Sequence, residues 1–511
     1  MARCSFVAAG VASLLGAGLL SGCSIGPHYT RPDVKLNDNW SMQPDTRLGT
    51  EATPAVTWWK SFNDPTLDRL IDEAFRQNLP LQIAGLRIME ARARLGFAIG
   101  QQYPQIQVAV GSATAVGLSE RAINAAFIDK HYQDYQVGFD AAWEADLWGK
   151  YRKGVTSEKS GYFASVADYD NVLVSLLAEV ARTYAVFRTF EVLIGQARAN
   201  VAIQEEGLRI ADARFRNGAA SELDVTQSRT LLESTRATIP QLLASLQQAE
   251  NALSTLLGQT TGSLAPILQS PSQIPLPPAQ VAISVPAEML RRRADIRGAE
   301  LAAMAQCDRI GIAKADLYPR LTLAGSIGTR VFAHGDVNND IGDLFSSDSF
   351  YYSFGAQLLY PLFNYGRLKN NVRLEDARFQ QALVNYRDTV LRAAQEVEDA
   401  LAGYLRARDA LVSAQGAADA AQRSVDLSFL QYREGAVDFQ RVLDAQRSLL
   451  EEQNTLTEIR SSVATNLIAL YKALGGGWEI RQGQPYVDEN NRKEMEERTD
   501  WDQYFSSPDP R

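Results

Sequence analysis

Residues 215–233 read FRNGAASELDVTQSRTLLE, and residues 432–451 read YREGAVDFQRVLDAQRSLLE. The glycines that anchor them, Gly218 and Gly435, lie 217 positions apart (435 − 218). Beyond the first glycine, Val225, Leu232, Ile239, Leu246 and Leu253 follow at intervals of seven, and Val442, Leu449, Leu456, Val463 and Leu470 repeat the series beyond the second. The segments upstream agree as well. Leu173, Val180, Phe187, Ile194, Val201, Leu208 and Phe215 correspond to Val390, Val397, Tyr404, Leu411, Ala418, Val425 and Tyr432. A seven-residue apolar period sustained over this length predicts helices that supercoil left-handedly on their neighbours, because a straight amphipathic helix drifts out of that register.

Between residues 152 and 216 no strong helix breaker occurs. At ~1.5 Å per residue such a helix is a rod of roughly 100 Å, which a compact globular core cannot use. Pro240 falls inside the second heptad run of the first half and is expected to bend or interrupt its helix. Elsewhere the period changes from seven to two. In QDYQVGFDAAWEADLW, Tyr135, Val137, Phe139, Ala141, Trp143, Ala145 and Leu147 alternate with polar, acidic or small residues. The pattern predicts a strand with one apolar and one polar face. Its counterpart in the second half carries Tyr352, Phe354, Ala356, Leu358 and Tyr360, and YPQIQVAV from Tyr103 matches YPRLTLAG from Tyr318, with Ile106 and Val108 becoming Leu321 and Leu323. Each half thus contains one β-hairpin. Four strands cannot close a barrel, and an open sheet edge in lipid leaves backbone groups unsatisfied, so several copies must pool their strands around a polar, water-filled interior.

The N-terminus, MARCSFVAAGVASLLGAGLLSGCS, has one Arg, a short apolar run and then small residues, the layout of a secretory signal. Leu20-Ser21-Gly22-Cys23 resembles a bacterial lipoprotein box, with Cys23 as the lipidated first residue of the mature chain; Ser24 after it implies an outer-membrane destination. Cys4 leaves with the signal and Cys23 carries lipid, so Cys307 stands alone and no intrachain disulfide is expected. Among the 511 residues 22% are charged, the formal net charge is −9, and no dense basic run occurs, so the electrostatic footprint of a nucleic-acid binder is missing. The expected organisation is a signal over 1–22, a first repeat over 23–270, a Pro-rich connector over 271–286, a second repeat over 287–479 and a polar tail over 480–511, which either wraps the rest or stays partly disordered.

No P-loop, nucleophile elbow or dinucleotide fingerprint occurs, the mature chain's three histidines, His28, His131 and His334, are far apart, and neither an enzyme nor a cofactor is expected. HGDVNNDIGDLFSSD spaces Asp336, Asn338 and Asp340 as a calcium loop would, but Ile341 stands where the loop needs Gly and Ser347 where it needs Glu. It reads as a solvated hairpin tip.

The chain resembles an outer membrane factor of the TolC superfamily, in its NodT-type lipoprotein branch. The resemblance is carried by GCSIGPHYTRP, by WWKSFNDPTLDRLIDEAFRQN from Trp58, by VPAEMLRRRADIRGAE from Val285 and by the two Gly-anchored helix starts. It implies a mixed α and β, internally duplicated fold that assembles as a homotrimer, with twelve strands in an outer-membrane barrel and long coiled-coil helices in a periplasmic α-barrel. The implied function is the exit duct of a tripartite efflux pump, joined to an inner-membrane pump, RND-type, through a periplasmic adaptor. It further implies a periplasmic gate at Asp444 and Arg447, with Asp224 and Tyr432 at neighbouring matched positions and Arg441 where some relatives carry a second Asp. From spacing alone, Asp444 and Arg447 are a surface ion pair one turn apart. The alternatives are the outer component of a protein secretion system and a coiled-coil lipoprotein without a pore. Since a shared duct has no tight pocket, cargo selectivity is expected in the pump and adaptor.

Overall fold

The computed structural model describes residues 24–506 except 38, 43–44, 46–47, 50–54, 120, 122–129, 270–272, 276–280, 283–291 and 334–339. The lipidation residue Cys23, the signal, most of the first hairpin tip and most of the connector lie outside the described residues. The helices are α1 (Pro65–Gln77), α2 (Leu79–Gly100), α3 (Lys150–Arg216), α4 (Glu222–Leu256), α5 (Ala294–Ala315), α6 (Arg367–Arg433), α7 (Phe439–Ala473), α8 (Glu489–Arg498) and α9 (Asp502–Ser506). The strands are β1 (Leu48–Gly49), β2 (Ile106–Gly117), β3 (His131–Glu144), β4 (Val281–Ala282), β5 (Arg320–Ala333) and β6 (Phe350–Leu359).

The repeat is visible in the element boundaries. Helices α3 and α6 each run 67 residues and α4 and α7 each run 35, and every boundary of the second pair lies 217 beyond its counterpart (367 − 150, 433 − 216, 439 − 222, 473 − 256). The chain divides into two compact units, each drawing on both repeats. The first holds 89–164 and 299–386 with the N-terminal stretch to residue 32; the second holds 33–88, 165–298 and 387–511.

In the first unit the two hairpins join into one antiparallel sheet of order β2-β3-β5-β6. Register places Val137, Phe139 and Trp143 of β3 opposite Thr329, Ile327 and Leu323 of β5, which in turn lie opposite Phe350, Tyr352 and Ala356 of β6. Directly opposed residues point to the same side, so these side chains share one face. That apolar face is the exposed one, with Phe139 66% and Phe354 76% exposed. Asp134, Gln136 and Asp140 are half-buried on the other face, where Arg330 makes a two-pronged ion pair with Asp134 at 2.6 and 2.9 Å. The sheet is therefore inverted relative to one that packs on a water-soluble core. Strand β3 ends at Glu144, short of Ala145 and Leu147 in the expected alternation, although the Ala145 amide still donates to the Leu321 carbonyl at 2.9 Å.

The strand pairing departs from the sequence match of Tyr103 with Tyr318. Gly111 lies opposite Val137 and Gly325 opposite Phe354; Val137 and Phe354 are counterparts 217 apart, so β2 and β5 correspond at an offset of 214 (325 − 111). The Tyr103 and Tyr318 match requires 215 (318 − 103). A one-residue change of register turns every side chain to the opposite face. Ile106 and Val108 consequently pair with Ala142 and Asp140 on the polar side, while Leu323, opposite Trp143, is on the apolar side. On β2 the apolar side carries Ala109, Gly111, Ala113 and Ala115 instead.

The N-terminal stretch is fixed to the same unit. The Ile25 amide donates to the Trp148 carbonyl at 3.2 Å, Arg31 grips Glu300 at 2.6 and 2.9 Å, and the buried Cys307 thiol faces the Pro27 carbonyl at 3.7 Å. Burial pushes the Cys307 thiol above its ordinary pKa.

In the second unit the heptad positions form the core. All five of Val442, Leu449, Leu456, Val463 and Leu470 are buried on α7, whereas on α4 Ile239 and Leu246 are only half-buried. Pro240 does not interrupt α4, which is helical through it. Its position is exposed, so water can hydrogen-bond the carbonyl that its missing N–H leaves free. The described part of the tail runs to residue 506 and folds onto the second unit. Arg481 and Arg297 both pair with the fully buried Asp170, and the Arg297 guanidinium lies 4.6 Å from the Trp478 ring centre. The Tyr486 ring meets Tyr169 edge-on at 5.4 Å, and Asn491 reaches Gln82 at 3.1 Å. The tail therefore docks on its own chain.

Candidate functional site

Of the expected gate residues, Asp224 and Tyr432 lie at the two helix turns of the second unit. Each turn is closed by a left-handed glycine. Gly218 has φ +74° and Gly435 φ +73°, a backbone region that side chains with a Cβ enter only with strain. The amides of Gly218 and Ala219 donate to the carbonyls of Phe215 and Arg214, and those of Gly435 and Ala436 to Tyr432 and Gln431. Both are paired bonds that terminate a helix at a glycine and reverse the chain. The next helix then starts under a side-chain cap: Ser221 accepts from the Asp224 amide while Asp224 accepts from Ser221, and Asp438 accepts from the Arg441 amide. This is why one glycine-anchored sentence is spelled twice.

The two turns come together around Tyr432. It is 3% exposed, packed with Ala211, Val225, Leu231, Phe439, Val442 and Leu443. Its ring centre is 5.0 Å from that of Phe439, and the Arg214 guanidinium lies 4.5 Å from it. Arg214 also donates to the Tyr432 main-chain carbonyl, clamping the first turn to the second across 218 positions of sequence. The Tyr432 hydroxyl is buried with no hydrogen-bond partner among the described residues. Burial raises its pKa; the Arg214 charge opposes that shift, and the Asp224 carboxylate adds to it. Tyr432 is thus a core residue of the turn pair, and Asp224 is committed to its cap.

Asp444 and Arg447 stand elsewhere on α7, on its open side. Their charged groups approach to 3.7 Å, with side chains 56% and 52% exposed, and Gln440 donates to Asp444 at 2.8 Å. Arg441 is exposed one position beyond Gln440. The structure therefore brings Asp444 and Arg447 together as an exposed pair, and holds Tyr432 by a group that spacing did not indicate, Arg214. In the second repeat Gln431 occupies the position matching Arg214 (214 + 217), so the duplication itself does not mark Arg214.

A family model described as outer membrane efflux protein matches residues 70–259 and 285–476, one segment per repeat. The chain belongs to the outer membrane efflux protein family. This efflux protein is 30% identical over 468 residues to the cation efflux system protein CusC of Escherichia coli O157:H7, covering 90% of this chain and 97% of that one. It is 30% identical over 474 residues to the solvent efflux pump outer membrane protein SrpC of Pseudomonas putida, covering 91% and 97%. Among solved structures it matches the outer-membrane channel OprN with a TM-score of 0.83 at 29% identity, over 89% of this chain and 100% of that one. It is an outer membrane factor of the TolC superfamily, an efflux component that resides in the outer membrane with a periplasmic tunnel.

Proposed function

We propose that this efflux protein is one of three identical subunits of a passive exit duct, in which twelve strands form the barrel and the long helices the tunnel. The duct receives cargo from a periplasmic adaptor and an inner-membrane pump of RND type, and Cys23 carries the lipid that anchors each subunit to the outer membrane. The observation that carries this reading is the inverted sheet, whose large apolar side chains are exposed while the outer edges of β2 and β6 have no strand partner among the described residues. A membrane barrel needs an apolar exterior, a wet interior and no free edge, and a single chain supplies the first two alone.

The gate is assigned to the charged pair Asp444 and Arg447, with Tyr432 and Asp224 holding the turns from which α4 and α7 start. An exposed pair one turn apart contributes only ~0.3–0.5 kcal/mol by itself. Symmetry copies converging on a narrow, poorly screened mouth strengthen it. Selectivity is assigned to the pump and adaptor. The names of two relatives of near-equal identity refer to cations and to solvents, which supports a duct that does not choose its cargo. The test is conductance: purified full-length protein in a planar bilayer should give discrete channel steps. Properly folded, membrane-inserted protein that conducts no ions would overturn the duct.

A further inference from the structure

Where the sheet gives way to the long helices, the two repeats make the same turn with different chemistry. Gly149 and Gly366, 217 apart (366 − 149), take φ +74° and +80° just before α3 and α6 begin. In the first repeat the cations at this turn are matched by acids. Lys150 pairs with Asp316 at 2.8 Å, and Arg152 pairs with Asp146, which also accepts the backbone amides of Tyr151 and Arg152. In the second repeat Arg367 and Lys369 take the places of Lys150 and Arg152, both exposed, and Phe363 stands where Asp146 would be. The first turn of α6 holds no acid, and among the described residues neither cation has an ion pair. A second copy meeting this turn in the same geometry would not supply one. The first-repeat positions that match Asp316, at offsets of 214 and 215, are Gln102 and Gln101.

The same turn carries an exposed apolar run. From Leu358 to Phe363 every residue is apolar or aromatic, and Leu358, Tyr360, Leu362 and Phe363 are all exposed, Phe363 by 91%. The run continues the exposed apolar face of the sheet at the end from which α6 departs, away from the hairpin tips. We propose that this run and the two unmatched cations form a headgroup site for anionic phospholipid at the periplasmic face of the outer membrane. The apolar side chains lie among the upper acyl carbons while Arg367 and Lys369 hold the phosphate. The inference rests on the reading of the sheet as membrane-spanning. Aromatic side chains favour the boundary between hydrocarbon and water, and cations just outside it meet the headgroup layer. Charge then selects the lipid. A zwitterionic headgroup brings its own ammonium beside the phosphate, whereas an anionic one leaves the phosphate to the guanidinium and the ammonium of the protein. The first-turn amides of α6 also lack the carboxylate that caps α3, so the partial positive charge of the helix start adds to the same field.

Full-length protein reconstituted into vesicles of phosphatidylglycerol and phosphatidylethanolamine, then re-extracted in mild detergent, tests the site by the lipid it retains. The unmodified protein should come out enriched in phosphatidylglycerol. Arg367→Gln with Lys369→Gln should lower that enrichment by roughly fivefold for each charge removed, and high salt should weaken it in the unmodified protein. Lys493→Gln with Arg498→Gln, which removes the same charge from the exposed side of α8, should leave it unchanged. Equal retention of the two lipids by the unmodified protein, or enrichment that survives the loss of both Arg367 and Lys369, would overturn the proposal. So would copies that come apart in that double variant while its lipid enrichment stays, since the two cations would then belong to an interface between copies. Bilayer conductance separates the two readings: protein that conducts yet shows no lipid preference sinks this site alone, whereas unmodified protein that never conducts sinks the channel.

Discussion

At the scale of single residues, the turn region separates two jobs that the resemblance had grouped. Tyr432 is buried beneath Arg214 and beside Phe439, so its contribution is to hold one turn on the other. Asp444 and Arg447 are exposed and bound only loosely at 3.7 Å, so their removal should leave the fold intact. The double change Asp444→Ala with Arg447→Ala is expected to raise single-channel conductance and sensitivity to vancomycin, with stability altered by less than ~0.5 kcal/mol. Unchanged conductance in correctly assembled protein would place the gate elsewhere. Asp170 presents the opposite case. Its carboxylate is fully buried and neutralised by Arg297 and Arg481, so Asp170→Ala should cost about 3–5 kcal/mol, because two guanidinium groups lose their buried partner. A denaturation midpoint equal to that of the unmodified protein would contradict this account of how the tail is held.

At the scale of elements, the helix pairs repeat because their end signals repeat. Gly218 and Gly435 occupy the same left-handed conformation, followed by Ser221 and Asp438 as caps. Valine at Gly435 should strain the backbone by ~1–2 kcal/mol, since a β-branched side chain is unfavourable at positive φ. Hydrogen exchange should then quicken at the amides of 435–441 and stay unchanged in the distant half of α7; uniform protection along the helix would show that the turn tolerates the residue. The strands obey a weaker rule. Alternation marks β3 and β6 correctly, but on β2 the larger residues Ile106, Val108 and Val110 alternate onto the side of Asp140 and Gln136, so its register is set by its neighbour and not by its own pattern.

At the scale of the whole molecule, the repeats and the compact units do not coincide: each unit takes segments from both repeats, so a truncation at the connector would divide both. The inverted sheet fits the proposed pooling of strands from several copies, and residues 24–32, with Arg31 held on Glu300, belong to the unit that carries the sheet. Replacing Cys23 by Ser should abolish incorporation of labelled acyl chains and slow maturation, while assembled barrels still hold part of the protein in the membrane. Unmodified protein that takes up no label would end the lipoprotein reading.

The sequence by itself determined what depends on neighbours along the chain. A period of seven, glycines at 218 and 435 and capping residues just beyond them are local instructions, and the observed α3, α4, α6 and α7 obey them; α3 starts within two residues of the expected position. The tertiary structure alone decided what depends on partners far away. It set the pairing of β3 with β5, the one-residue register of β2, the docking of the tail on Asp170 and the clamp of Arg214 on Tyr432. The physical reason is range. Caps and amphipathic periods are fixed within a few turns of backbone, whereas the guanidiniums of Arg214 and Arg481 and the edge of β3 find their partners only after the chain has brought together residues about two to three hundred positions apart, and the register of β2 follows the facing side chains of its partner strand; no spacing in the sequence encodes those meetings.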